Sequence, residues 1–315
     1  IPETPQWLLS KNRTAEAEKS LRWLRGWATS KAVAQEFRDL QQHIERSKSC
    51  YSCIKQDLNC THPLPTLREK FSELKRKQTI KPLFITISLF VIAQFSGVYS
   101  MRAFIVQIFK AYESPLPPDQ ATAIMSFLEV IGSVVFMCLV RFIGKRPIYL
   151  ATALGIFVCS TTVCLCGFIL LPKGYISFDQ THEPYHLENT ILTYIPLIGL
   201  FLWSFFSYSG FLAMPWMLLS EIFPFKSRGV ASSIAVSFSF LMGFISRKIY
   251  YSLETTLSLP GTKLFFCVIS GLGFVLMYLI LPETENISLE DIERHFSDNS
   301  KKITDRKIRK SNEKT

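Results

Sequence analysis

Charge is scarce through the middle of this sequence. Of its 315 residues, 19% are Asp, Glu, Lys or Arg and 48% are hydrophobic. The deficit is concentrated in six runs: Pro82–Phe109, Ala121–Val140, Ile148–Leu171, Ile195–Leu219, Gly229–Ile245 and Leu264–Leu281. Soluble cores do not need apolar runs of this length, whereas roughly 20 apolar residues cover a 30 Å hydrocarbon core. A large water-soluble domain is thereby excluded. The two shorter runs are extended by flanking residues such as Arg247 and Lys248, whose stems lie in apolar surroundings while their heads reach outward. The expected fold class is an all-α membrane protein with six transmembrane helices. Catalytic signatures are lacking too. There is no G-x-S-x-G nucleophile elbow and no phosphate-binding P-loop, so no enzyme activity is expected. The loop Leu171–Thr190 has no cysteine, which excludes a disulfide within it; its His182 and His186 read as solvated.

Acidic residues are the minority charge, 25 against 35 Lys and Arg, for a net charge of +10. Basic excess can mark a nucleic-acid binder, but here its placement decides. Six spans put both termini on one side, and 29 of the 35 basic residues lie in the segments of that side. The other six are Arg102, Lys110, Lys173, Arg247, Lys248 and Lys263. By the positive-inside rule both termini are cytoplasmic. The excess is a topology signal toward the lipid bilayer, and no nucleic-acid partner is expected. The chain divides into a cytosolic linker with short helices (1–81), a six-span bundle (82–282) and a cytosolic tail (283–315).

The linker is polar. Val33, Phe37, Leu40 and Ile44 recur at helical spacing and form one apolar stripe. Thr66 and Glu69 suit a capping box. Cys50, Cys53, Cys60 and His62 offer soft ligands, but their spacing matches no familiar zinc module, so they read as reduced thiols. No metal or cofactor is expected.

Five motifs fall at fixed places relative to the spans: PETPQWL (Pro2–Leu8), AQFSGV (Ala93–Val98), FIGKRP (Phe142–Pro147), MPWMLLSEIFPFKSRG (Met214–Gly229) and LPETENISLEDI (Leu281–Ile292). In this order they resemble the sugar-porter family of the major facilitator superfamily, with the flavour of the insect facilitated trehalose and glucose transporters. The resemblance implies twelve spans in two six-span halves that rock about a midplane site. This chain is similar to the linker and C-terminal half, so a further N-terminal six-span half is expected as its partner. The implied activity is facilitated passage of a sugar or related polyol at the plasma membrane by alternating access. A non-transporting sugar sensor or degenerate paralogue is the competing expectation.

The resemblance also assigns residues. Gln94, Tyr99, Glu129, Trp216 and Ser239 occupy substrate-contacting positions. Glu221 and Arg228, with Arg146 and Glu283 of the neighbouring motifs, occupy positions that gate the conformational change. Several of these depart from the family pattern. Ala93 replaces the first of two Gln, Tyr99 and Ser239 replace Asn, and Glu129 replaces an amide. Arg141 stands for an acidic residue, and Glu285-Asn286 for Lys-Gly. Leu212 and Ala213 stand at family positions ahead of Pro215, which implies a stiffer fourth span. Two charges enter the membrane instead, Arg102 and Glu129. Each costs about 2.5–3.5 kcal/mol at a helix centre; their similar depths predict that they pair, and an Arg102 that snorkels to the outer headgroups is the competing expectation.

Overall fold

The computed structural model describes residues 2–48, 74, 77–172, 174–178, 190–224, 227–285, 287, 289–297, 305 and 308. The Thr66/Glu69 pair, the 50–62 cysteine cluster, His182 and His186 lie outside the described residues. The chain forms two compact units, Ile1–Phe71 and Ser72–Thr315.

The first unit contains α1 (Pro5–Ser10), α2 (Thr14–Leu24) and α3 (Ser30–Lys48). Thr4 starts α1 by accepting from the Trp7 N–H, with Pro5 pre-set for the first turn. Leu8, Leu9, Ala17, Leu21, Val33 and Ile44 are buried. Phe37 and Leu40 are half-buried, so the expected stripe of α3 does face inward. Arg25 bridges to Glu36 at 2.9 Å and holds that carboxyl below its ordinary range.

The second unit carries the apolar helices. They are α4 (Lys77–Phe95), α5 (Val98–Arg102), α6 (Ile105–Ala111), α7 (Pro118–Ile143), α8 (Lys145–Leu170), α9 (Thr190–Phe206), α10 (Met214–Glu221), α11 (Arg228–Ile280) and the terminal α12 (Leu289–Ser297). Among the described residues, five continuous helical stretches are long and apolar enough to cross a membrane. The last of them, Arg228–Ile280, is 53 residues long. At 1.5 Å per residue that is about 80 Å, far more than one crossing needs. It is broken at Ser258, where φ is 65° and ψ 171°. Contacts with the first span prove that the chain reverses there. Going up, Ser227 meets Thr79, Ser239 meets Gln94 and Ser246 meets Ser100. Coming down, Lys263 meets Met101, and Gly273 closes on Ile92. Residues 228–257 and 259–280 are therefore two spans, and the described residues contain six.

The first apolar run is not one helix. Gly97 adopts φ 84° and separates α4 from α5. A Cβ there would come within 2.8 Å of Phe266. The turn thus requires glycine for both its backbone and its packing. The fourth span is also interrupted, contrary to the stiffness inferred from Leu212 and Ala213. Ser207–Phe211 is a widened turn in which the Leu212 N–H reaches back to the Ser207 carbonyl. Its Gly210 has φ 138°, available only to glycine. Ser207 and Ser209 hydroxyls cap the Trp203 and Phe205 carbonyls, both at 2.7 Å. Pro215 then begins α10, where its missing N–H is not needed.

The second span shows how charge is placed. Its buried residues are Ala121, Met125, Glu129, Gly132 and Phe136, one stripe at helical spacing. The other side exposes Phe127, Val130, Val134 and Met137. Glu129 sits in the inward stripe, so its carboxylate faces protein.

Candidate functional site

The expected substrate positions lie on the first, second, fourth and fifth spans. Gln94 is 7% exposed and donates from Nε2 to the Ser239 hydroxyl at 3.2 Å. Gly243 makes room for it, since a Cβ there would lie 2.9 Å from Gln94 Oε1. That Oε1 is buried and has no hydrogen-bond partner among the described residues. Such an acceptor costs roughly 1–3 kcal/mol while unsatisfied. Ser246 fixes the local backbone, donating to the Gln94 carbonyl at 2.9 Å.

Trp216, at the start of α10, is 43% exposed. Its ring packs edge-on against Phe90 at 5.1 Å and lies 6.4 Å from Phe240. Tyr99 neighbours Trp216 and Tyr208. Glu129 accepts from the Ser204 hydroxyl at 2.7 Å and pairs with Arg102, whose guanidinium lies 5.8 Å above the Tyr208 ring. The five expected substrate positions thus fall into two groups: Gln94 bonded to Ser239, and Trp216 and Tyr99 next to Tyr208, Arg102 and Glu129. This arrangement offers a free amide oxygen and aromatic faces, the first for a hydroxyl donor and the second for the C–H surface of a sugar ring.

Three of the expected gating positions, Arg146, Glu221 and Glu283, gather at the end of the bundle where α8 begins. Glu283 accepts from the backbone N–H groups of Lys145 and Arg146 at 3.2 and 3.1 Å. A carboxylate at a helix N-terminus satisfies unpaired donors and complements the helix dipole. Gly144, with φ 93°, admits it: a Cβ there would stand 2.8 Å from Glu283 Oε2. Arg146 donates to the Tyr278 carbonyl at 3.0 Å. Glu221 binds the Lys145 ammonium at 2.6 and 2.8 Å. Arg228 donates to the Phe223 carbonyl at 3.3 and 3.4 Å. The hub of this network is Lys145, 6% exposed, which also pairs with Glu285 at 2.7 Å. Sequence reasoning missed Lys145 and Glu285 as partners. The available signal was a lysine directly after a turn glycine in FIGKRP, facing an extra acid in the tail motif.

Among the described residues, no group of three or more His, Cys, Asp or Glu could hold a metal ion.

Residues 1–296 match the family described as Sugar (and other) transporter. The chain is 30% identical over 298 residues to the facilitated trehalose transporter Tret1 of Apis mellifera ligustica, covering 94% of this chain and 53% of that protein. It is 27% identical over 302 residues to Tret1 of Bombyx mori, covering 96% and 54%. Among solved structures it superposes on the major facilitator proton:xylose symporter XylE bound to 6-bromo-6-deoxy-D-glucose with a TM-score of 0.69 at 19% identity. That match covers 93% of this chain and 54% of the other. The chain spans about half the length of the curated relatives it matches. The family match runs from the first linker helix through the last span, and on that evidence the chain belongs to the Sugar (and other) transporter family.

Proposed function

We propose that this chain is the C-terminal six-span half of a facilitative carrier for a sugar or polyol, working by alternating access with an N-terminal six-span half. The observation that carries this reading is the unsatisfied Gln94 Oε1, buried beside Ser239 at a family substrate position. A substrate hydroxyl completes its hydrogen bonding, and Trp216 and Tyr99 supply aromatic surface next to it. The trehalose transport named for the insect relatives supports the substrate class. Glu221, Arg228, Arg146 and Glu283 serve as the gate, holding one closed state through contacts that part on opening. In this reading both termini face the cytoplasm, the Lys145 end of the bundle is cytoplasmic, and the protein resides in the plasma membrane.

A specific observation favours the competing reading of a non-transporting sensor or degenerate paralogue. Glu129 is already bound by Arg102 and Ser204, so that position is occupied by protein groups. Uptake of labelled trehalose and glucose by vesicles carrying the gene product that contains this chain separates the two. The carrier reading expects saturable, stereoselective flux that falls at least tenfold in Gln94→Ala and Trp216→Leu at equal protein level. Sugar-dependent stabilisation without flux supports the sensor.

A further inference from the structure

Arg102 and Arg247 occupy comparable settings, each with its guanidinium over a tyrosine ring. Arg102 lies 5.8 Å from the Tyr208 centroid and Arg247 lies 5.7 Å from the Tyr99 centroid. A guanidinium over an aromatic face uses its π surface and leaves in-plane N–H donors free, in a fork that fits carboxylate and phosphate. Arg102 fills that fork with Glu129. Arg247 has no carboxylate partner among the described residues, and the neighbouring Lys248 adds a second cation, 5.7 Å over Phe244. The side of α11 that carries Arg247 is the substrate side. Phe240, two turns earlier, touches Trp216, and Tyr99 adjoins both Trp216 and Arg247. Phe240, Phe244 and Arg247 are all exposed along this stripe. A guanidinium on an exposed face favours water over hydrocarbon, so the stripe suits a water-filled path.

We infer that Arg247 is the anion-binding group of the substrate face, and that the carried compound is a sugar bearing a carboxylate or phosphate. The charged group takes the open fork of Arg247, and the sugar ring lies over Tyr99 and Trp216 toward Gln94. This also accounts for the sparse amide partners, because one bidentate ion pair supplies orientation that a neutral hexose takes from several hydrogen bonds. The inference rests on the carrier reading above and narrows its substrate class.

The test uses the gene product that contains this chain, reconstituted in vesicles, with labelled glucose, glucuronate and glucose 6-phosphate. We expect kcat/KM for glucuronate or glucose 6-phosphate to exceed that for glucose at least tenfold, and the two anions tell carboxylate from phosphate. Arg247→Gln should remove at least tenfold of the preference, and Arg247→Lys should retain part of it. Flux of glucose with both anions excluded overturns the inference and leaves the carrier reading intact. If no sugar moves, thermal stabilisation of the purified protein decides. Stabilisation by an anion but not by glucose, lost in Arg247→Gln, upholds the anion site and defeats the carrier reading. Absence of both flux and stabilisation overturns both.

Discussion

The Arg102 guanidinium and the Glu129 carboxylate form an ion pair between the first and second spans, with Ser204 of the fourth span donating to the same carboxylate. The Glu129 side chain is 8% exposed and that of Arg102 36%. Removing one member leaves the other uncompensated, which costs on the order of 3–5 kcal/mol in a dry site. Partial exposure of Arg102 moves its share to the low end. Arg102→Leu and Glu129→Leu should each lower the melting temperature of the detergent-purified protein, and the double change should recover much of the loss. Additive losses in this cycle would show that the two charges act independently.

Gly97 and Gly210 are required by backbone and space together. Both have positive φ, and a Cβ would meet Phe266 at 2.8 Å or Ile148 at 2.8 Å respectively. Gly97→Ala and Gly210→Ala should each destabilise by about 2–4 kcal/mol, combining the conformational cost with a displaced neighbour. Gly229 has nothing within 4 Å of its would-be Cβ and lies in the first turn of α11. Gly229→Ala should be neutral or stabilise by up to about 1 kcal/mol. Equal losses at all three positions would refute the packing argument.

The contrast between these glycines shows which parts of the fold were legible in sequence. Six crossings follow from the length of the apolar runs, because a bilayer demands that length whatever the packing. The breaks inside the runs do not follow from hydropathy. Gly97 and Gly210 look like ordinary small residues until their neighbours, Phe266 and Phe136, are in place. The Arg102–Glu129 pair was legible because two lone charges at matching depth have few alternatives. Lys145 was not, because its partners Glu221 and Glu285 come from far along the chain, and only the folded bundle brings them to one ammonium. Arg247 was read as reaching toward the headgroups, whereas its guanidinium turns over Tyr99. The choice between those two outlets depends on a neighbouring helix.

Ser258 makes the turn between the fifth and sixth spans at φ 65° and ψ 171°, a region that suits glycine almost exclusively. Two backbone features hold it there: Leu259 N–H donates to the Tyr175 carbonyl at 2.9 Å, and Pro260 follows. The strain is of order 1–3 kcal/mol. Ser258→Gly should relieve part of it and raise stability by about 1 kcal/mol, after the larger entropy loss of glycine on folding. Ser258→Val should lower stability, since a β-branched residue tolerates positive φ least. Thermal unfolding monitored by tryptophan fluorescence reads both changes. A less stable Ser258→Gly would show that the serine side chain contributes more than its backbone costs.

Lys145 stands between two carboxylates, Glu221 at 2.6 Å and Glu285 at 2.7 Å, while Thr284 donates a third contact to Glu221 at 3.4 Å. Its side chain is 7% exposed, against 33% for Glu221 and 20% for Glu285. The ammonium therefore cancels acid–acid repulsion as well as linking α8, α10 and the tail segment. Lys145→Met keeps the stem and removes the charge, leaving two like charges close together. It should cost about 2–4 kcal/mol, given that the partners retain some water. The triple change Lys145→Met, Glu221→Gln, Glu285→Gln removes the repulsion and should be more stable than Lys145→Met alone. A Lys145→Met deficit that is unchanged in the triple variant would mean that the lysine acts through packing of its stem and not through its charge.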